Sequence, residues 1–220
     1  ALKGAPTPTY WADAGVPVPE FGEHAIPRIF VSGDGDGALI DLVAAASADF
    51  DHAKIIHLIV SQPGIGALFE KLQSIDARAR EADAAGKRFD FVHAYDEIEG
   101  ALQGLGLIEA MRKQLRPSVV LSLQTRHAEH FATKTALLNR LAAYLVIKAC
   151  LEDEHAAFSH YICDSVEFSK PPVIQYEAKT WLKCGDQYVG ANAIYVRRGP
   201  DRLSVRKAFE PLIGKYADEH

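Results

Sequence analysis

The stretch "IFVSGDGDGALID", residues 29–41, decides how the fold is read. Ile29, Phe30 and Val31 have the character of a short buried strand, and glycines follow before an alanine-rich segment, residues 38–48, that reads as a helix. Counting from Gly33, the turn satisfies G-x-G-x-x-A through Gly33, Gly35 and Ala38, with Gly37 in addition. In that pattern the first glycine permits the tight turn and the second lets backbone approach a pyrophosphate. The third small residue lets the helix lie close to the strand, so that its N-terminal N–H groups face the phosphates. Ser32 ends the strand, while Asp34, Asp36 and Asp41 shape the turn and the first turns of the helix.

Outward from this turn, residues 55–60 (IIHLIV) form a continuous apolar run of the kind a parallel sheet buries on both faces. Read as the second strand, it places Ser61 and Gln62 at the ligand crevice. An acidic residue there would favour NAD by holding a ribose 2′-hydroxyl, and Ser61 removes that preference. The cofactor expected is therefore NADP or NAD, with a lean to NADP. A helix is predicted over 66–84, a third strand over 89–93, and a glycine-interrupted helix over 98–115. Another strand is predicted over 119–123 and a long helix over 128–151. Gln124 and Arg126 fall where that later strand gives way to helix, at the carboxyl edge that open α/β sheets use for ligands; Arg126 and His127 could clamp phosphate or ribose there, or belong to a solvated loop. Asn139 and Arg140 are expected at solvent or at the sheet edge, and His57 in the core.

The remaining sequence to residue 200 alternates aromatic, β-branched and polar residues. The fold class expected is α/β: a Rossmann-like, mostly parallel sheet with an antiparallel, β-rich C-terminal section. The chain divides into a Pro-rich strap or linker over 1–28, a dinucleotide-binding domain over 29–200 and a C-terminal tail helix over 201–220.

A formal charge of −5 without any Lys/Arg run gives no electrostatic footprint for nucleic acid. No apolar run approaches a membrane span, so no membrane partner is expected. Cys150, Cys163 and Cys184 are odd in number and lack C-x-x-C spacing, which suggests reduced thiols in a cytoplasmic protein. The histidines show no convincing ligand set, so no metal is expected.

The same turn supports a second chemistry. Read from Asp34, D-G-D-G-A-L-I-D approaches the D-x-D-G-T-L-h-D signature of haloacid-dehalogenase-like phosphohydrolases. Asp34 would then be the nucleophile, Asp36 the acid/base, and magnesium the counter-ion. Ala38 stands where that signature has Thr. A third reading is a non-catalytic nucleotide sensor.

The stretch V-S-G-D-G-D-G-A-L-I-D-L, with a later T-x-L-L-N-R-x-x-x-Y-L over 135–145, resembles bacterial FAD/NAD(P)-binding proteins similar to pyridine-nucleotide-dependent flavoprotein oxidoreductases. The resemblance implies that the turn is the nicotinamide-side motif. It also implies that any FAD is supplied by a missing N-terminal domain or a partner chain, and that hydride transfer would require it.

Overall fold

The computed structural model describes residues 26–173 and 176–197. The expected tail helix and nearly all of the Pro-rich strap lie outside them. The elements run β1 (Arg28–Ser32), α1 (Asp36–Ala46), α2 (His52–Val60), α3 (Ile65–Ala84), α4 (Phe91–Asp96), α5 (Glu99–Gly104) and α6 (Leu107–Arg112). They continue with β2 (Val120–Thr125), α7 (Leu137–Glu152), β3 (Ala157–Ile162), β4 (Val166–Phe168), β5 (Thr180–Cys184), β6 (Gln187–Ala191) and β7 (Ala193–Val196).

Four strands form a sheet of order β3-β2-β1-β7, parallel at every pairing. A separate antiparallel sheet has the order β4-β5-β6. The protein is thus α/β with an antiparallel C-terminal section, and its layers follow from the alternation of β1. Ile29 and Val31 join the helix-side core with Leu39, Leu42, Leu141 and Leu145. Phe30 points to the other face, where Val166, Leu182, Val189 and Ala191 of the small sheet cover it. A parallel sheet needs both faces covered, and here helices cover one and the antiparallel sheet the other.

Three expectations are corrected. Residues 55–60 are not a strand but most of α2. The Asp51 carboxylate accepts the Lys54 N–H as an N-cap, and Ile55 and Ile59, one turn apart, are buried. Lys54, His57 and Val60 are exposed, so His57 is not a core histidine. Nor do residues 89–93 form a strand: 91–93 open α4, capped by Asp90 through the His93 N–H, with Phe91, Ala94 and Tyr95 buried at helical spacing. The long helix begins at Leu137 rather than 128. Before it the chain runs as a loop, tied to the glycine turn by the Ala132 N–H donating to Asp34 O at 2.9 Å.

Two further corrections concern side chains. Arg140 is 1% exposed. It pairs with Asp76, donates to the Thr133 and Thr135 carbonyls, and lies 4.2 Å above the Phe91 ring. Cys163 and Cys184 are not reduced thiols; they form a disulfide joining the end of β3 to β5, while Cys150 is free and buried. Burial pushes the Cys150 thiol up to about 12. Among the described residues no helix is long and apolar enough to cross a membrane.

Candidate functional site

The strand that follows β1 in the sheet is β2, not the 55–60 segment, so the crevice is built from residues far apart in sequence. β1, β2 and β7 end side by side, and the order reverses at β1: β2 and β3 lie to one side and β7 to the other. That is the topological switch point at which open α/β sheets bind ligands, beyond the carboxyl ends of their strands. A cavity of about 260 Å³ lies there, lined by Ser32, Gly33, Asp34, Arg88, Gln124, Thr125, Arg126, His127 and Arg197. A second, of about 470 Å³, shares Asp34 and Arg88 with it and continues past Lys87, Phe89, Phe131 and Lys134.

The four small positions of the turn do different work. Gly33 has φ +137°, and a Cβ there would lie 2.5 Å from Arg197 O and 3.1 Å from the Ala38 Cβ. The Gly33 N–H donates to Gln124 O at 2.9 Å and the Arg197 N–H to Ser32 O at 2.8 Å, so this glycine is clamped between β2 and β7. Ala38, fully buried, supplies the close helix-to-strand contact. Gly35 is the N-cap of α1, in extended conformation; among the described residues it has no side-chain cap, and a Cβ placed on it meets nothing within 4 Å. Among the described residues the space beside Gly35 is therefore open, at a helix start without a side-chain cap, where an anionic group is favoured. Gly37 carries the Arg197 side chain, whose Cδ would lie 3.4 Å from an added Cβ.

The acidic residues are largely committed. Asp36 Oδ1 accepts the Ala136 N–H at 2.8 Å and the Asn139 Nδ2–H at 2.7 Å, tying the start of α1 to the start of α7. Asp41, fully buried, takes the Arg197 Nε–H at 2.6 Å. Burial raises the Asp41 carboxyl above the usual range, and the Arg197 guanidinium opposes that rise. Asp34 lines both cavities.

The polar wall is also braced. Ser32 Oγ donates to Gln124 Oε1 at 2.6 Å, and Gln124 Nε2 donates to the Thr125 and Cys163 carbonyls. Gln124 thus orients the wall and has little capacity left for a ligand. Thr125 Oγ1 donates to His127 O and meets His160 Nε2 at 2.7 Å; the His160 ring lies 3.9 Å from that of His130. Burial, with the His130 ring beside it, lowers His160 to about 4, and burial also lowers His130.

Of the residues expected from sequence, Ser32, Gly33, Asp34, Gln124 and Arg126 line the first cavity, and Gly35, Asp36, Gly37 and Ala38 form the adjoining helix start. Ser61 and Gln62 do not join them. Ser61 is the C-cap of α2, and the Gln62 amide donates to Leu58 O. Arg88 and Arg197 were not anticipated. Arg197 follows a strand directly, a signal the carboxyl-edge rule could have used; Arg88 lies in the helical excursion between α1 and β2 and carries no such signal. Among the described residues no group of three His, Cys, Asp or Glu is placed to hold a metal ion.

No protein-family model matches the chain, and neither a curated protein nor a solved structure does.

Proposed function

We propose that the chain is a nicotinamide-dinucleotide-binding domain, of the kind that serves a flavin- and NAD(P)-dependent oxidoreductase. The observation that carries the reading is the open space over Gly35, at an uncapped helix N-terminus, on the switch point of a parallel sheet ordered β3-β2-β1-β7. That order matches 3-2-1-4 of the dinucleotide-binding fold, with β7 in the fourth place, which supports the reading. The pyrophosphate would sit on the N–H groups following Gly35, with Gly33 and Ala38 keeping strand and helix close. Ser32 and Gln124 would form the rigid wall beneath it. The nicotinamide would supply a hydride, and the acceptor, FAD, would come from a preceding domain or a partner chain.

The phosphohydrolase alternative draws less support. Its acid/base, Asp36, has Oδ1 engaged by two donors from the start of α7. The sensor reading shares the same site and differs only in the lack of turnover.

Calorimetric titration with NADPH, NADH and FAD, each with and without magnesium, tests the reading. Saturable binding of a nicotinamide nucleotide without magnesium, abolished in Gly35→Val, is expected. Heat from magnesium alone, removed by Asp34→Asn and accompanied by no dinucleotide binding, refutes it in favour of the phosphohydrolase.

A further inference from the structure

The wall of the crevice and the small antiparallel sheet lie on the same face of the parallel sheet. Ser32 stands two residues after Phe30, and Gln124, its partner in register, two after Ser122, so both side chains leave the sheet on the face that Phe30 presents to the small sheet. β3 ends at Ile162, and the next residue, Cys163, is bonded through its sulfur to Cys184 of β5. Val166, the first residue of β4, pairs with the same Cys184. The short step from Cys163 to Val166 is thus closed at both ends on one strand. Phe30 is the one buried residue of the parallel sheet in the apolar cluster beneath β4–β6, among the described residues. The covalent tie therefore adds substantially to a small hydrophobic contact.

The Cys163 carbonyl belongs to the peptide unit that leaves β3, and among the described residues no backbone N–H donates to it. It accepts the Gln124 Nε2–H at 2.6 Å, while Gln124 Oε1 takes the Ser32 Oγ–H at 2.6 Å and the Gln124 carbonyl takes the Gly33 N–H at 2.9 Å. One residue therefore links the disulfide to the start of the glycine turn. The carbonyl that anchors it is held by the disulfide on one side and by the Cys163 N–H bond to Thr125 O, at 3.1 Å, on the other. Cys184 is buried and Cys163 is half-buried, so a reductant reaches the bridge from the Cys163 side.

We propose that the Cys163–Cys184 bridge is a thiol-responsive switch on the crevice, opened by a dithiol reductant at Cys163 and transmitted to the ligand wall by Gln124 as a positioning residue. A thiolate of the reductant bonds to Cys163 Sγ, and the bond between the two protein sulfurs breaks with its electron pair on Cys184 Sγ, which takes a proton. The second thiol of the reductant gives up its proton and displaces Cys163 Sγ, which is protonated in turn, and the reductant leaves as a cyclic disulfide. The bridged state holds the Cys163 carbonyl against Gln124 and keeps the Ser32–Gln124 wall in one arrangement. The reduced state frees that carbonyl, and the wall must be ordered at the expense of binding. That the ligand affected is a dinucleotide rests on the reading above; the loosening of the wall does not.

The test is calorimetric titration of the full chain with NADPH, bridged and after reduction by dithiothreitol, at a temperature where circular dichroism shows both states folded. The bridged protein is expected to bind about threefold to tenfold more tightly, the worth of one hydrogen bond held in place. Cys184→Ser, which cannot form the bridge, should match the reduced wild type. Gln124→Met keeps the length of the side chain without its bonds, and should bind at the reduced level in either state. By reciprocity, saturating NADPH should shift the dithiol–disulfide equilibrium towards the bridge by the same factor. Equal affinity in the two states overturns the switch and leaves the dinucleotide reading standing, as does a redox dependence that persists in Gln124→Met. Binding in neither state overturns the dinucleotide reading instead, and hydrogen exchange of the free protein then decides the switch. On reduction the Gly33 and Arg197 N–H groups, which donate to Gln124 O and Ser32 O, should exchange at least about tenfold faster while the amides of α3 keep their rates. Unchanged exchange at Gly33, or an acceleration shared equally by α3, overturns the switch.

Discussion

Gly33 and Gly35 stand two residues apart in one turn, and the structure assigns them opposite sensitivities. An alanine at 33 must adopt φ +137° and must place its methyl 2.5 Å from Arg197 O. The backbone conformation alone costs about 1–3 kcal/mol for a residue with a Cβ. Relieving the overlap costs about 1–3 kcal/mol more, as overpacking does elsewhere. Its easiest route, moving the chain after β7 away from β1, gives up the Arg197 N–H bond to Ser32 O. Gly33→Ala should therefore lose about 2–6 kcal/mol, a drop of roughly 5–20 °C in Tm for a chain of this size. At Gly35 the added methyl meets open space and an ordinary φ of −90°. Replacing an N-cap glycine by alanine costs about half a kcal/mol, which the reduced entropy of the unfolded chain offsets. Gly35→Ala should melt within a degree or two of the wild type yet bind NADPH about tenfold or more weakly, because its methyl occupies the space assigned to the pyrophosphate. Thermal melts followed by circular dichroism, paired with calorimetric titration, read both quantities on the same samples. A Gly33→Ala protein that melts like the wild type refutes the steric argument. A Gly35→Ala protein that binds normally refutes the placement of the phosphates.

Two further outcomes follow from the covalent and titratable groups. The Cys163–Cys184 bridge closes a separation of 21 residues, so reduction by a dithiol should remove about 3 kcal/mol of stability through the unfolded chain; urea midpoints that coincide with and without reductant count against it. His160 has its folded-state value lowered to about 4, below the unfolded value near 6.5. Between those values the unfolded chain takes up the proton and the folded one does not. The stability this histidine contributes is thus complete above pH 6.5 and disappears as pH falls through about 4. His160→Gln should flatten the urea midpoint over that interval relative to wild type, and an unchanged profile contradicts the assigned burial.

The glycine turn and its flanking strand and helix were legible because three signals coincided within a few residues: an apolar run, small residues at fixed spacing, and an alanine-rich helix face. The 66–84 and 119–123 segments were also close to α3 and β2, since each carries a clear period or a β-branched run. IIHLIV misled because six apolar residues fit a buried strand as well as a helix. What decides between them is Asp51, a cap just upstream, and the one-turn spacing of Ile55 and Ile59. That single reading displaced the crevice to Ser61 and Gln62, while Gln124 and Arg126 were found independently through the edge of a later strand. The Arg140 network depends on Asp76 and Phe91, and the disulfide on how β3 meets β5; such long-range pairings leave no local trace in the sequence.

The central strand has a kinetic consequence. β1 meets β2 across about ninety residues, with Ser32 and Gln124 92 apart, and meets the β7 edge across a separation of 164 between Arg28 and Asn192. Closing loops of that length must precede any reward from strand pairing, so folding is expected to be slow for a chain of this size. The helices between α1 and β2 can form from near neighbours, whereas the crevice exists only once β1, β2 and β7 lie together. The ligand site is then among the last parts of the molecule to assemble, and a refolding chain should regain helical signal before it regains the capacity to bind.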